Sequence, residues 1–227
     1  MKNFLKILLI LVSPVAIGAN NDIYITQSGT GLTLTIDQIG ASNIVGTSQT
    51  RATFTGTSMT VDVDQVGDSN SLTASVAQGN STSFTVTSTG DSNATTLAFG
   101  GTGDVANTDF DLTETGSSNV VSFTQGAAAT ATAGNQDITI TGTSNNINAT
   151  CEVVGCINNW TIDGDGSDID TTQTGNSDHQ ITAVITGNTN NIDIDQTNST
   201  GSVSGVAVIT ATTSNATIDI DQCTSGC

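Results

Sequence analysis

The chain is poor in basic residues, histidine and proline. Its 227 residues include three Lys and Arg against 21 Asp and Glu, with one His and one Pro. Lys2 and Lys6 lie in the first 19 residues, so residues 20–227 keep only Arg51 and carry a formal charge of 1 − 21 = −20. A surface this acidic repels nucleic acid and anionic membranes, which argues against both as partners.

The single histidine, His179, offers little from which to build an enzyme. A Ser-His-Asp triad or a histidine metal site would depend on that one residue, and no glycine loop has phosphate-binding spacing. We therefore expect no enzymatic activity. We expect His179 to be a solvated turn residue and the single Trp160 and Tyr24 to pack in loops.

The first 19 residues predict a secretory signal peptide. Lys2 and Lys6 precede a short apolar segment, residues 7–12, and small residues follow up to Ala19. This segment is too short to span a membrane, and no later one approaches the required length. We expect residues 1–19 to be removed on export and residues 20–227 to form one repetitive domain outside the cell.

What the chain does contain is a repeated strand pattern. The abundance of Gly, Ser, Thr and Asn, with 4% aromatic residues, is typical of disorder, yet apolar residues alternate regularly with polar ones. Residues 60–78 contain an alternating strand, a turn marked by Gly67 and Asn70, and a second alternating strand. Such a unit is too short to bury its own apolar face, so it needs copies above and below.

Copies of this unit recur along the chain every 23 to 31 residues, with first apolar positions at 34, 61, 84, 110, 138, 169, 192 and 218. A period in this range indicates a stacked array. The sequence therefore predicts an all-β fold, a β-solenoid of about eight two-stranded coils. The expected inward columns are Leu34, Val61, Phe84, Phe110, Ile138, Ile192 and Ile218, and beside them Ile36, Val63, Val86, Leu112, Ile140, Ile194 and Ile220.

Three polar residue types recur at fixed offsets from these strands. We expect the glycines to take positive-φ corner positions and the amide side chains to stack, each bonding to the next, as in amyloid ladders. The candidate ladder residues are Gln38, Gln65, Gln173, Gln196 and Gln222, with Asn43, Asn70, Asn93, Asn119 and Asn145. The candidate turn glycines are Gly40, Gly67, Gly90, Gly116, Gly142 and Gly175.

The spacing of these residues resembles a known family. Gln38-x-Gly40-x-x-Asn43-x-Val45-x-x-x-Gln49 is similar to the curlin repeat, Gln-x-Gly-x-x-Asn-x-Ala-x-x-x-Gln, and Gln65-x-Gly67-x-x-Asn70-x-Leu72 matches its first half. The resemblance implies an extracellular, cell-surface amyloid fibre of adhesion and biofilm matrix. It implies a homopolymer whose other partners are a nucleating subunit and secretion machinery. Unpaired strand edges at the ends of a solenoid independently favour end-to-end stacking.

Aspartates fill many of the outward positions. The expected columns are Asp62, Asp111, Asp170, Asp193 and Asp219, with Asp37, Asp64, Asp195 and Asp221 beside them. Solvated carboxylates would keep the chain soluble before assembly. The alternative is that Ca²⁺ bridges them, with residues 163–170 as the best single candidate, although this segment lacks the glycine and glutamate of an EF-hand loop. No other cofactor is predicted.

The four cysteines form two closely spaced pairs, Cys151 with Cys156 and Cys223 with Cys227. In an exported protein this spacing favours two local disulfides. A dimer linked through Cys227 is the alternative.

Two other functions fit a β-solenoid. An ice-binding solenoid would display a flat Thr-x-Thr array, and Thr33-x-Thr35, Thr53-x-Thr55, Thr85-x-Thr87 and Thr139-x-Thr141 are partial matches. Aspartate often replaces these threonines in the aligned strands, which argues against a regular face. A monomeric Ca-binding solenoid of the adhesin type is the other alternative.

Overall fold

The structure is a computed structural model, and it describes residues 20–40, 42–46, 52–67, 69–90, 92–100, 105–126, 132–152, 154–175, 179–198 and 205–224. The predicted signal peptide, Gln49 of the curlin-like repeat and Cys227 lie outside these ranges. Within them there is no helix long and apolar enough to cross a membrane.

All regular structure in the described ranges is β-strand. The strands are β1 (Asn20–Ile23), β2 (Thr26–Ser28), β3 (Thr33–Ile39), β4 (Ser42–Val45), β5 (Ala52–Thr55), β6 (Thr60–Val66), β7 (Ser69–Asn80), β8 (Ser83–Thr89), β9 (Ala94–Phe99), β10 (Val105–Thr115), β11 (Val120–Gln125), β12 (Thr132–Thr141), β13 (Asn146–Cys151), β14 (Val154–Asp163), β15 (Asp168–Gly175), β16 (Gln180–Thr186), β17 (Asn191–Asn198), β18 (Val206–Thr212) and β19 (Thr217–Thr224).

The strands form two parallel sheets around one core. Sheet 1 consists, in order, of β3, β6, β8, β10, β12, β14, β16 and β18. Sheet 2 begins with β1 and β2, continues with β4 and β5, and then runs through β7, β9, β11, β13, β15, β17 and β19. The chain alternates between the sheets, and each strand pairs with the strand one coil away. The predicted all-β solenoid of two-stranded coils is therefore confirmed.

Alternate side chains of both sheets point into the core. The core contains an aromatic cluster of Phe54, Phe84, Phe99, Phe110 and Phe123, whose neighbouring ring centroids lie 5.0 to 6.5 Å apart. Such ring pairs each contribute about 0.5–1.5 kcal/mol beyond the burial of their area. Trp160 also belongs to the core, in β14 and 2% exposed, so the expectation that it packs in a loop is wrong. Tyr24 is 55% exposed.

The predicted inward columns are correct only as far as β10. Leu34, Val61, Phe84 and Phe110 are aligned in sheet 1, but the next member of this column is Gln136 and not Ile138. Ile138 instead follows Leu112. A shift of two residues keeps the same side chains pointing inward, so alternation with period two does not fix the register of a strand. It does not identify the sheet either, since both sheets face the same core.

The C-terminal isoleucines belong to sheet 2. Ile192 and Ile218 continue a column that runs back through Ile169 and Ile147 to Val121, and Ile194 and Ile220 occupy the column beside it. The predicted alignment of these residues with the β3 and β6 side chains is therefore wrong.

Candidate functional site: the amide ladders and the open last coil

An asparagine ladder runs along the corner where the chain passes from sheet 1 to sheet 2. Each Nδ2 donates to the Oδ1 of the asparagine one coil further on, at 2.8 to 3.0 Å, through Asn43, Asn70, Asn93, Asn119 and Asn145. These side chains are at most 2% exposed. Their amides also donate to backbone carbonyls, as Asn93 does to Thr115 at 3.0 Å. The ladder therefore binds each corner to the next.

The turn glycines Gly40, Gly67, Gly90, Gly116 and Gly142 line the same corner. A Cβ on any of the last four would overlap the carbonyl oxygen of the glycine one coil before. The expected positive φ is wrong for these four, since only Gly40, at 155°, lies in that region. Glycine is needed here because successive backbones approach too closely to leave room for a side chain.

Gly175 does not belong to this column, because it ends β15 in sheet 2 and pairs with Asn198. The column instead continues through Gly164 and Gly187, which show the same overlap with the preceding glycine. Sequence reasoning missed both residues. For Gly187 the signal was available, because Gly187-x-x-Asn190 has the same spacing as the earlier turns, whereas Gly164 is followed by Ser167 at that position.

The five predicted glutamines form two ladders in different sheets. In sheet 1, Gln65 Nε2 donates to Gln38 Oε1 at 2.8 Å. In sheet 2, Gln196 Nε2 donates to Gln173 Oε1 at 2.7 Å, and Gln222 Nε2 donates to Gln196 Oε1 at 2.6 Å. Both ladders have the same direction, with the donor pointing to the preceding coil. Stacked glutamines therefore join neighbouring coils in both sheets.

Glu114 lies in the same column as the glutamine ladder of sheet 1, two coils beyond Gln65. It follows Gln65 and Ser88 in the column and is fully buried. Burial raises the pKa of Glu114 to about 7, although the nearby Thr95 hydroxyl partly offsets the rise. Among the described residues, neither carboxylate oxygen accepts a hydrogen bond of ordinary geometry. This carboxyl group is therefore a weak point of the core whenever it is ionised.

The outward aspartates lie in shorter runs than predicted. Asp62 and Asp111 are separated by Thr85 in sheet 1, whereas Asp170, Asp193 and Asp219 are consecutive in sheet 2. Asp37 pairs with Asp64 in sheet 1, and Asp195 pairs with Asp221 in sheet 2. The predicted columns mixed residues of the two sheets, for the same reason as the predicted core columns. Loss of hydration and the neighbouring carboxylates raise the pKa of Asp193.

The calcium candidate in residues 163–170 uses its carboxylates for contacts between coils. Asp163 accepts from the Thr186 hydroxyl and Asp165 from the Asn188 backbone N–H, both at 2.6 Å. Asp168 accepts from Asn191 Nδ2 at 2.9 Å. In the part of the chain that the structure describes, no three His, Cys, Asp or Glu side chains are grouped as metal ligands. Calcium binding stays a prediction.

A disulfide joins Cys151, at the end of β13, to Cys156 in β14. Cys223 is disulfide-bonded as well, while Cys227 lies outside the described residues. His179 is fully buried beside the first disulfide, and its Nδ1 accepts the Cys156 backbone N–H at 3.4 Å. The expected solvated turn histidine is therefore wrong. Its corner precedes a strand of sheet 1, where earlier coils also bury a side chain, such as Met59.

The last described coil leaves its inward side chains uncovered. Ile218 and Ile220 in β19 are 44% and 39% exposed, whereas Ile192 and Ile194, one coil earlier, are each 1% exposed. This difference measures what one further coil would bury.

Threonines form two outward columns on sheet 1. One runs through Thr87, Thr113, Thr139 and Thr161, and the column beside it through Thr89, Thr115 and Thr141. Aspartate was expected to replace threonine often enough to spoil a regular face, but it does not interrupt these two columns in the central coils. The predicted pair Thr85-x-Thr87 contributes only Thr87, because the partners of Thr85 are Asp62 and Asp111.

The protein is therefore a parallel β-solenoid whose coils are joined by hydrogen bonds between amide side chains. Its last described coil leaves inward-pointing isoleucines exposed. No family model, no curated protein and no solved structure matches the chain.

Proposed function

We propose that this protein is a secreted structural subunit that self-assembles end to end into extracellular, curli-like amyloid fibres for adhesion and biofilm matrix. Its partners are further copies of itself, a nucleating subunit and secretion machinery. The observation that carries the proposal is the uncovered last described coil, where Ile218 and Ile220 are exposed although Ile192 and Ile194, one coil earlier in the same columns, are buried.

The energetics favour adding another coil. Burying a whole isoleucine side chain contributes about 1.5–3 kcal/mol. Ile218 and Ile220 are each less than half exposed, so covering each of them contributes less than half of that amount. The parallel edge of β19 also offers backbone groups to a further strand. Where aspartates stack, as Asp195 and Asp221 do within the chain, their repulsion costs about 1 kcal/mol per pair at the dielectric of water, and salt reduces it. Burial and backbone pairing together exceed this cost.

Assembly can be measured by thioflavin-T fluorescence and electron microscopy on the exported protein, with and without millimolar Ca²⁺. We expect fibres with a meridional reflection at about 4.7–4.8 Å, the strand spacing. Ile220→Asp should block elongation while leaving a folded monomer. Val208→Asp, at an outward position that is 50% exposed, should assemble normally. A soluble folded wild-type monomer under every condition would refute the fibre proposal.

The threonine columns support a second candidate, an ice-binding solenoid. Stacked strands repeat their hydroxyl and methyl groups about every 4.8 Å along the axis and about every 6.6 Å along each strand, which is a regular pattern on which water can order. Thermal hysteresis of the monomer tests it. Thr113→Lys, within the array, should abolish the hysteresis, and Asn148→Lys, exposed on sheet 2, should not. Absence of hysteresis in the wild-type protein would eliminate this candidate.

A further inference from the structure

The two ends of sheet 2 present the same residue pattern in the same columns. The column that ends at Ile218 begins at Ile23, and the column that ends at Gln222 begins at Gln27. Ile25 precedes Thr26, which begins the column of Asp221. The column that lies between those of Ile218 and Gln222 therefore begins at Ile25 and ends at Ile220. Both ends thus read Ile-x-Ile-x-Gln.

The glutamine ladder has a direction that suits continuation. Gln222 Nε2 donates to Gln196 in the coil before it, so its Oε1 is the group available to a following coil. At the other end, the only hydrogen bond that Gln27 Nε2 donates within the described residues is a 3.5 Å contact with the Ser28 carbonyl, on an exposed side. A second copy placed after β19 would bring this donor to that acceptor.

The outward residues are also compatible at such a junction. Asp22 begins the column that ends at Thr217, and Asp221 would face Thr26. Tyr24, between Ile23 and Ile25, would face Asp219. No carboxylate of these strands would then lie directly on another, unlike the Asp193–Asp219 and Asp195–Asp221 pairs within the chain.

Building on the proposed function, we propose the register of the fibre junction. Strand β19 of one copy pairs in parallel with β1 and β2 of the next copy, so that Ile218 stacks on Ile23, Ile220 on Ile25 and Gln222 on Gln27. A shift by one residue would turn the apolar side chains to the outside. A shift by two would set Gln27 against Ile220 and leave the amide of Gln222 without a partner.

Cysteine cross-linking in fibres of the exported protein tests this register. In the variant Asp22→Cys with Thr217→Cys, both new thiols lie on exposed outward positions. In register their Cα atoms would be about 4.8 Å apart, which is within disulfide range. In the control, Asp22→Cys with Asp219→Cys, the two Cα atoms would be about 8 Å apart, which is beyond that range.

We expect covalent ladders on non-reducing gels from fibres of the first variant and from neither its monomer nor the control fibres. Fibres that form but cross-link only in the control, or in neither variant, would overturn the register and leave the fibre proposal standing. If the wild-type protein forms no fibres, the proposed function fails and the register fails with it.

Elongation kinetics give a second test that needs no new thiol. Gln27→Leu or Gln222→Leu alone would leave one buried amide facing a methyl group, and we expect each to slow elongation about tenfold, the effect of one unpaired buried polar group. The double variant should regain most of the wild-type rate. Slowing that is additive in the double variant would show that the two glutamines do not meet.

Discussion

Replacing Glu114 by Gln should remove a pH-dependent weakness from the core. Position 114 continues the column of Gln38 and Gln65, where Gln65 Nε2 donates to the Ser71 carbonyl at 3.2 Å. The residue that corresponds to Ser71 in the Glu114 coil is Val120. A glutamine at 114 can therefore donate to the Val120 carbonyl, whereas an ionised Glu114 has no proton to donate.

The magnitude follows from the pKa. Burial raises the pKa of Glu114 from 4.5 to about 7, and each unit corresponds to 1.36 kcal/mol, so ionisation costs the folded state about 3 kcal/mol. Because the folded pKa is the higher one, the favourable contribution is complete below about pH 4.5. It is lost as the pH rises towards about 7. The Gln variant should not show this loss.

The assay is urea denaturation of freshly prepared monomer at several pH values from 4 to 8. We expect Glu114→Gln to be more stable than wild type by about 3 kcal/mol at pH 8 and to differ little at pH 4. Glu152→Gln, at an exposed position, is the matched control and should follow the wild-type curve. If the free energies of unfolding of wild type and Glu114→Gln change in parallel with pH, the reasoning is refuted, because burial would then not raise the pKa of this carboxyl group.

Four further substitutions test other parts of the solenoid by the same denaturation assay. Asn93→Ala breaks the asparagine ladder and should cost about 3 kcal/mol, because it leaves buried partners unpaired on both sides; no loss would show that the ladder contributes nothing to stability. Gly90→Ala should cost at least about 2 kcal/mol through overlap with the Gly67 carbonyl, whereas Gly166→Asn, at a left-handed corner with φ 69°, should be tolerated. Asp193→Asn should stabilise the protein at neutral pH by relieving carboxylate repulsion, and the gain should shrink in acid; an equal gain at every pH would contradict this cause.

Period and turn spacing in the sequence were enough to predict the fold and the asparagine positions. Each Gly-x-x-Asn turn marks one corner, so Asn70 and Asn93 could be aligned without coordinates, although their part in self-assembly stays a prediction. Strand alternation does not distinguish the two sheets, and Ile192 was for that reason assigned to the wrong one. The burial of His179 could not be read from neighbours in the chain, because it depends on the corner positions of other coils.

For the glycine column, the sequence predicted the positions but not the physical reason for them. The sequence shows that Gly90 and Gly116 recur, and positive φ is the usual reason for a glycine at a turn. The actual reason is a contact with the coil before, which appears only once the coils are stacked. That the protein has no enzymatic activity also stays a prediction, since it rests on residue types alone.

The two sheets contain unequal numbers of described strand levels, nine in sheet 2 and eight in sheet 1, because β1 and β2 have no described counterpart in sheet 1. Copies joined through sheet 2 would therefore place one discontinuity in sheet 1 per subunit. With a strand spacing of about 4.8 Å, nine levels give an axial repeat of about 43 Å. Diffraction from a fibre of this protein should therefore show a layer line at this long axial repeat. Identical short segments stacked in a fibre would not produce such a layer line.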